Sequence, residues 1–165
     1  LDTATDWTVY HHLMNSGGAA NTRACELNTN AQDASVNFWK DTTPTSVLVR
    51  IDNSAQVNPA STMLAYCFTP IQGFSKFGTY EGNGNVDGPF VYTGFRPAFI
   101  ITKDQDVSGN WNMWNNRALG YNEENRLITC NQDSGQSNEA GSPYIYLAYA
   151  ESPFCNSNGV PTNAR

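Results

Sequence analysis

The chain has 165 residues, enough for one domain with a single core, and only 15% of them are charged, against about 25% in an ordinary soluble protein. A net charge of −6 without any run of like charge disfavours a nucleic-acid partner, and the lack of a long apolar stretch disfavours a membrane partner. Asparagine replaces much of the charge, with 20 Asn against three Lys, and 12% of the residues are aromatic, a composition typical of secreted or virion β-proteins.

The chain begins with a strand signal at Trp7–Tyr10, which His11 and His12 follow. Because neighbouring strand residues point to opposite faces, these two histidines are not expected to serve one metal or one catalytic base. The segment 29–38 is long enough for a helix but lacks apolar residues at helical spacing. The β-branched run Ser46–Ile51 predicts a strand.

Denser apolar runs come later and predict strands that are buried on both faces. They lie at Thr62–Phe68 and Pro143–Ala150, each bounded by Pro, Asn or Ser. A further strand is predicted at Pro97–Lys103, which starts with the proline that a strand tolerates at its first position. Many short strands separated by Gly and Asn turns predict an all-β fold, an antiparallel β-sandwich of jelly-roll or lectin-like type.

Two parts of the chain look like degenerate copies of one unit. The first opens at Trp7 and closes with the run 62–68, and the second opens at Trp111 and closes with 144–150. We therefore predict a single domain, 1–165, with copy one at 7–73, a connector at 74–103 and copy two at 110–155. The two closing runs should occupy equivalent places in one sandwich, and both tryptophans should lie in the core or in the seam between the copies.

Four cysteines, Cys25, Cys67, Cys130 and Cys155, leave three disulfide pairings open. None has a second cysteine close by in the sequence, so a zinc site is not expected. Cys25 and Cys130 fall in predicted core strands, where thiols are often buried, and buried thiols are favoured over a disulfide. Because the chain starts at Leu1 without a signal peptide, we expect a mature product or a fragment of a longer protein.

The segment Gly73–Lys103, GFSKFGTYEGNGNVDGPFVYTGFRPAFIITK, holds Gly, Pro and aromatic residues at fixed spacing. With WTVYHHL at 7–13, MLAYCFT at 63–69, NWNMWNNRA at 110–118 and YIYLAYAESPF at 144–154, it resembles a repeated C-terminal domain of tail-fibre-like structural proteins from tailed bacteriophages, many of them marine. The likeness spans almost the whole chain. This chain lacks a segment that those proteins usually carry before the last strand, and Cys155 stands where they have an ordinary residue.

The resemblance implies a virion protein without enzymatic activity, such as a tail fibre, a spike tip or a head decoration, which oligomerises and presents polar loops. It also implies a homo-oligomer, with a trimer favoured, that contacts other virion proteins in a particle assembled in the host cytoplasm. Since glycine permits close backbone approach, we expect the contact to use the block Phe74–Lys103. The alternative is a lectin-like module that binds a host-surface glycan.

A possible calcium loop lies inside this block, at Glu81, Asn83, Asn85 and Asp87. Oxygen ligands at every second position, with glycines between them, match what a calcium ion requires. A glycine-rich turn between two strands explains the same residues and is favoured, because Asn and Asp tolerate left-handed backbone. We therefore expect no cofactor, with calcium as the alternative.

The candidates for ligand binding are Tyr92, Arg96, Trp114 and Arg117. The aromatic side chains Phe90, Tyr92, Phe95 and Phe99 can form a platform for sugar rings, but such residues usually form the core of a sandwich, which we favour. Both arginines are expected to anchor loops by hydrogen bonds to carbonyls or carboxylates. No catalytic set of residues stands out, so an enzyme is not expected.

Overall fold

The computed structural model describes residues 4–115 and 137–151. Within these ranges the chain forms seven β-strands, two short 3₁₀ helices and no α-helix. The predicted fold class is confirmed, because the strands build two antiparallel sheets of an all-β protein. The chain divides into two compact units, Leu1–Cys67 with Asp104–Asn110, and Phe68–Lys103 with Trp111–Arg165.

The first unit contains a small three-stranded sheet. Its central strand β2 (Arg23–Glu26) pairs antiparallel with β1 (Thr8–Val9) on one side and β3 (Ala34–Ser35) on the other. The 3₁₀ helices Met14–Gly17 and Ala20–Thr22 connect β1 to β2. Cys25 in β2 is 1% exposed, as expected for a thiol in a core strand.

A partly buried ion pair ties β2 to the chain just before β3. The Arg23 guanidinium donates to both carboxylate oxygens of Asp33, with 2.8 Å between Nε and Oδ2. This hydrogen-bonded carboxylate raises the pKa of Arg23 above its usual value. The indole N–H of Trp39 donates to the backbone oxygen of Arg23, so the same short strand is held from two directions.

The second unit contains a four-stranded sheet in the order β4–β7–β5–β6, formed by β4 (Ser75–Glu81), β5 (Pro97–Asp104), β6 (Asn112–Asn115) and β7 (Pro143–Ala150). β4 and β7 pair along their whole lengths, from Ser75 opposite Tyr149 to Glu81 opposite Pro143. β5 pairs with β6 over four residues. The strands predicted at 97–103 and 143–150 are thus confirmed.

One face of this sheet forms the core of the second unit. Alternate residues of β7, from Tyr144 to Ala150, are buried there, as the two-residue period of a strand requires. The rings of Tyr80 and Tyr144 stack with centroids 4.9 Å apart. Gly78 lies opposite Tyr146, whose ring fills the space that a Cβ at residue 78 would need.

Two other predicted strands do not form. The runs 46–51 and 62–68 have no strand structure, and every residue in both is exposed. The predicted equivalence of 62–68 with 144–150 is therefore wrong, since only the second run is a strand of a sheet. A strand needs a neighbour to take its backbone hydrogen bonds, and within the described residues these two runs have none.

Two further details of the predicted copies differ from the structure. Trp7 was expected in the core but is 42% exposed, while Trp111 is half-buried. The segment 74–103, predicted as a connector, supplies β4 and β5 to the four-stranded sheet. The division into two copies within a single domain stays a prediction.

Candidate functional site

The four-stranded sheet carries a cluster of aromatic rings on the face opposite its core. Tyr149 is at the centre of this cluster, and four phenylalanine rings lie 6.0–6.3 Å from it: Phe68, Phe74, Phe77 and Phe99. Three of them meet the Tyr149 ring edge-on, which is a preferred geometry for aromatic pairs. We call these five residues the aromatic cluster.

The aromatic cluster is only partly covered. Phe68 is 66% exposed and Phe74 is 38% exposed, while the other three rings are half-buried. Partial burial raises the pKa of Tyr149 above its ordinary value. Met113, opposite Ile101 in the β5–β6 register, adds a side chain that is 65% exposed. Contiguous exposed apolar patches are uncommon on monomeric soluble proteins, so this face is the candidate site.

A second group of exposed apolar side chains lies in the loop after β4. Val86, Phe90 and Tyr92 are 76%, 72% and 64% exposed. The Lys76 ammonium lies 5.6 Å from the centre of the Tyr92 ring and donates to the Tyr92 backbone oxygen, so this part of the loop is held against β4. The expectation of a core position is confirmed for Phe95, which is 3% exposed, and is wrong for Phe90 and Tyr92.

Asn138 holds the glycine-rich part of this loop in place. Its Oδ1 accepts the Asn83 N–H at 2.9 Å, and its Nδ2 donates to the Asn85 oxygen at 2.8 Å. Its backbone oxygen accepts the Gly84 N–H at 3.0 Å. Asn138 is fully buried, and a buried amide with both ends satisfied fixes the path of the chain it binds.

Gly82 allows the loop to approach residues 138–142 so closely. A Cβ at this position would lie 2.1 Å from the Glu139 oxygen. The Gly82 N–H donates to the Ser142 oxygen, and its own oxygen accepts the Gly141 N–H, both at 2.9 Å. At this glycine a close backbone approach is therefore made within one chain, and the expected contact between chains through Phe74–Lys103 stays a prediction.

The residues of the possible calcium loop, Glu81, Asn83, Asn85 and Asp87, are exposed. Asn83 Oδ1 accepts the Asn85 N–H at 2.9 Å, which is the hydrogen bond of an Asx turn. The Gly88 N–H donates to the Asn85 oxygen and continues the turn. Within residues 4–115 and 137–151, no group of three or more His, Cys, Asp and Glu side chains is placed to hold a metal ion.

The sequence of this chain matches a known protein family. One family profile matches residues 1–153, which is nearly the whole sequence. The chain belongs to the DUF7483 family. This family is described as a domain of unknown function, and no curated protein and no solved structure matches the chain. The described part of this DUF7483 domain contains no helix long and apolar enough to cross a membrane.

The remaining candidate residues of this DUF7483 domain lie in different parts of the structure. Arg96 Nε is 3.1 Å from Glu151 Oε2, and the Glu151 N–H donates to the Arg96 oxygen, as expected for an arginine that anchors a loop. Trp114 packs against the core cluster of the second unit. Cys67 is an exposed thiol. Three predicted positions lie outside the described residues: Arg117, Cys130 and Cys155.

Our sequence interpretation missed two features of the site. Asn138 gave no signal, because it lies in a polar stretch whose partner is 53 residues away. The aromatic cluster did leave a signal, since strand alternation places Tyr149 on the face opposite Tyr144. What the alternation could not show is that no chain segment of the described structure covers that face fully.

Proposed function

We propose that this protein is a non-enzymatic structural or adhesion component of a bacteriophage virion, which assembles with further copies of itself through the aromatic cluster. The partly exposed aromatic cluster carries the proposal. An antiparallel sheet with one buried face usually turns polar residues to water on the other face. Here the second face presents Phe74 and Met113 instead, and association would remove them from water.

The resemblance of Gly73–Lys103 to phage structural proteins supports a location of this assembly in the virion. The proposed protein is a tail fibre, a spike tip or a head decoration, located in the extracellular particle and assembled in the host cytoplasm. It forms a homo-oligomer, with a trimer as the expected stoichiometry, and contacts other virion proteins. Nucleic acid and membranes are not among the partners we propose.

The loop held by Asn138 supports the same role. Three hydrogen bonds to Asn138 and the close approach of Gly82 fix the loop. A rigid loop loses little conformational freedom when it meets a partner, so its exposed residues are presented at low entropic cost. Val86 and Phe90 are the residues presented in this way.

Light scattering of the purified chain tests the oligomer. We expect the wild-type protein to be an oligomer at micromolar concentration and the double variant Phe74→Lys/Met113→Lys to be a monomer, because two charges then lie on the contact face. The matched control is Leu27→Lys/Val107→Lys, which charges two exposed apolar positions of the first unit. A wild-type monomer, or an oligomer that persists in the Phe74→Lys/Met113→Lys variant, contradicts the proposed contact.

Immunogold labelling of particles tests the location. Antibodies against the chain should label purified virions of the phage that encodes it, at a tail fibre, a tail tip or the head surface. Unlabelled particles that nevertheless contain the phage's other structural proteins would overturn the virion assignment and leave the oligomer intact.

A second candidate is a lectin-like module for a host-surface glycan, and the exposed rings of Phe90 and Tyr92 favour it. Aromatic faces open to solvent can stack on sugar rings, and Lys76 holds Tyr92 in position. On a glycan array we expect binding that is lost in Tyr92→Ala and kept in Val86→Ala on the same loop. Loss of binding in EDTA would add calcium to this candidate, and the absence of any glycan signal would reject it.

A further inference from the structure

Two runs of strand-forming residues lie unpaired and exposed in the first unit and at its border, 46–51 and 62–68. They contain eight of the large hydrophobic side chains that are more than a third exposed: Val47, Leu48, Val49, Ile51, Met63, Leu64, Tyr66 and Phe68. Neighbouring residues of an extended chain point to opposite faces, and in each run they are exposed alike. Both faces of each run are therefore exposed. Scattered apolar residues on a surface need no explanation, but two continuous runs do.

The backbone of the run 62–68 is as open as its side chains. In the described structure, none of its seven N–H groups donates a hydrogen bond to another group of the chain. An extended run with free N–H and C=O groups is a template for pairing with another strand. Main-chain pairing of this kind is a common way for one chain to bind another.

The residues of this run are suited to a sheet. Its centre, Leu64-Ala65-Tyr66, has the same sequence as Leu147-Ala148-Tyr149, which lies within strand β7. Its ends are Thr62 and Phe68, and both residue types are enriched in strands. The run therefore has the composition of a strand but has no neighbour within the described chain.

A second copy of this chain fits the run better than a partner of different chemistry. The run carries no charge, so two copies of it can lie side by side without like charges opposite each other. Antiparallel pairing centred on Ala65 places Leu64 opposite Tyr66 and Met63 opposite Cys67, apolar against apolar. Its four large exposed side chains, Met63, Leu64, Tyr66 and Phe68, would be removed from water at such a contact.

We propose that the run 62–68 becomes a β-strand by pairing antiparallel with the run 62–68 of a second copy. The inference rests on the self-association in the proposed function and adds to it a strand pairing through the run 62–68, whose last residue, Phe68, also belongs to the aromatic cluster. Self-pairing of this kind is a two-fold contact. Alone it gives a dimer, and together with a three-fold contact it gives a hexamer.

Charge variants test the pairing by size-exclusion chromatography with light scattering. The variant Leu64→Lys/Tyr66→Lys places positive charges opposite each other in the proposed register, so we expect a dimer to become a monomer, or a hexamer to become a trimer. The matched control Ala55→Lys/Ala60→Lys adds the same charge at exposed positions between the two runs and should keep the wild-type mass. Circular dichroism of all three proteins confirms that the fold is retained.

A cysteine placed at the two-fold axis tests the register. In the pairing, the two Ala65 Cα atoms lie about 4.5–5.5 Å apart, within the range that a disulfide spans. On a Cys67→Ser background, Ala65→Cys should form a covalent dimer of twice the 18.1 kDa chain mass under mild oxidation, and Ala60→Cys should not. Equal cross-linking of both variants, or of neither, overturns the pairing.

The outcomes separate this inference from the proposed function. A trimer that survives Leu64→Lys/Tyr66→Lys and is lost in Phe74→Lys/Met113→Lys overturns the strand pairing and supports the proposed contact. A dimer with the reverse behaviour supports the strand pairing and contradicts the contact through the aromatic cluster. A wild-type monomer at tens of micromolar contradicts both.

Discussion

The tripeptide Leu-Ala-Tyr occurs twice in this chain, once in the run 62–68 and once in β7, and the two copies have opposite environments. Ala148 is fully buried, whereas Ala65 is exposed. Tyr149 lies among four phenylalanine rings, whereas Tyr66 is 66% exposed and stacks on Trp7. The side chains are the same, so strand propensity cannot be what separates them.

The neighbours of the two tripeptides make the difference. β7 lies between β4 and β5, so both of its edges have a partner strand. Its start is fixed by the segment 138–142, which is bound to Gly82 and Asn83. The run 62–68 has no partner strand on either side in the described chain. A strand is stable when its backbone and one of its faces are both occupied, and only β7 meets that condition.

The largest expected effect comes from removing a core tyrosine of β7. Tyr144 is fully buried, stacks on Tyr80, and its hydroxyl accepts the Glu139 N–H at 3.0 Å. We expect Tyr144→Ala to lower the free energy of unfolding by about 3–5 kcal/mol because it leaves a cavity. Tyr66→Ala should cost below about 1 kcal/mol in dilute protein, as exposed substitutions do. Equal losses in denaturant titrations would remove the contrast between the two runs.

A smaller effect is expected where the chain enters β7. At Gly82 a Cβ would meet the Glu139 oxygen, so the backbone must move to accept Gly82→Ala. We expect a loss of about 1–3 kcal/mol, measured by thermal or urea unfolding. Gly109→Ala is the control, because nothing lies within 4 Å of its Cβ position. If both variants unfold alike, the segment 138–142 does not depend on this close approach.

The ring contact of the run 62–68 should have a modest effect. Trp7 and Tyr66 stack with centroids 6.1 Å apart, and Trp7 is 42% exposed. We expect a double-mutant cycle of Trp7→Ala and Tyr66→Ala to give a coupling energy of about 0.5 kcal/mol, the low end for aromatic pairs. Trp39→Ala, at a site only 7% exposed, should cost about 3–5 kcal/mol and serves as the buried reference. A Trp7→Ala loss as large as that of Trp39→Ala would restore the predicted core position of Trp7.

The smallest expected effect is a pH dependence in the first unit. Desolvation lowers the pKa of His12 below its ordinary 6.5, and its ring stacks on His11 at 4.9 Å. The unfolded chain therefore takes up the proton first as the pH falls, and stability should decrease on acidification through pH 6.5. Unfolding of His12→Gln at a series of pH values should show a shallower slope there. An unchanged slope would assign it to other groups.

Much of the second unit could be predicted from the sequence. The dense apolar run 143–150 and the proline-led run 97–103 specify strands by local pattern, and both formed with nearly the predicted ends. The turn chemistry of Asn83 and Asn85 is also local, because an Asx turn needs only its own backbone. The all-β class follows from such short-range signals, which neighbours in the sequence determine.

The remaining features depend on contacts between residues far apart in the chain. Asn138 binds a loop 53 residues before it, and Tyr149 gathers phenylalanines from three separate segments. The sequence of 62–68 indicates that these residues can form a strand, but it does not indicate which backbone will pair with them. Propensity is a property of a residue and its immediate neighbours, whereas pairing and burial are properties of the folded chain and, in the strand pairing we propose, of the assembly.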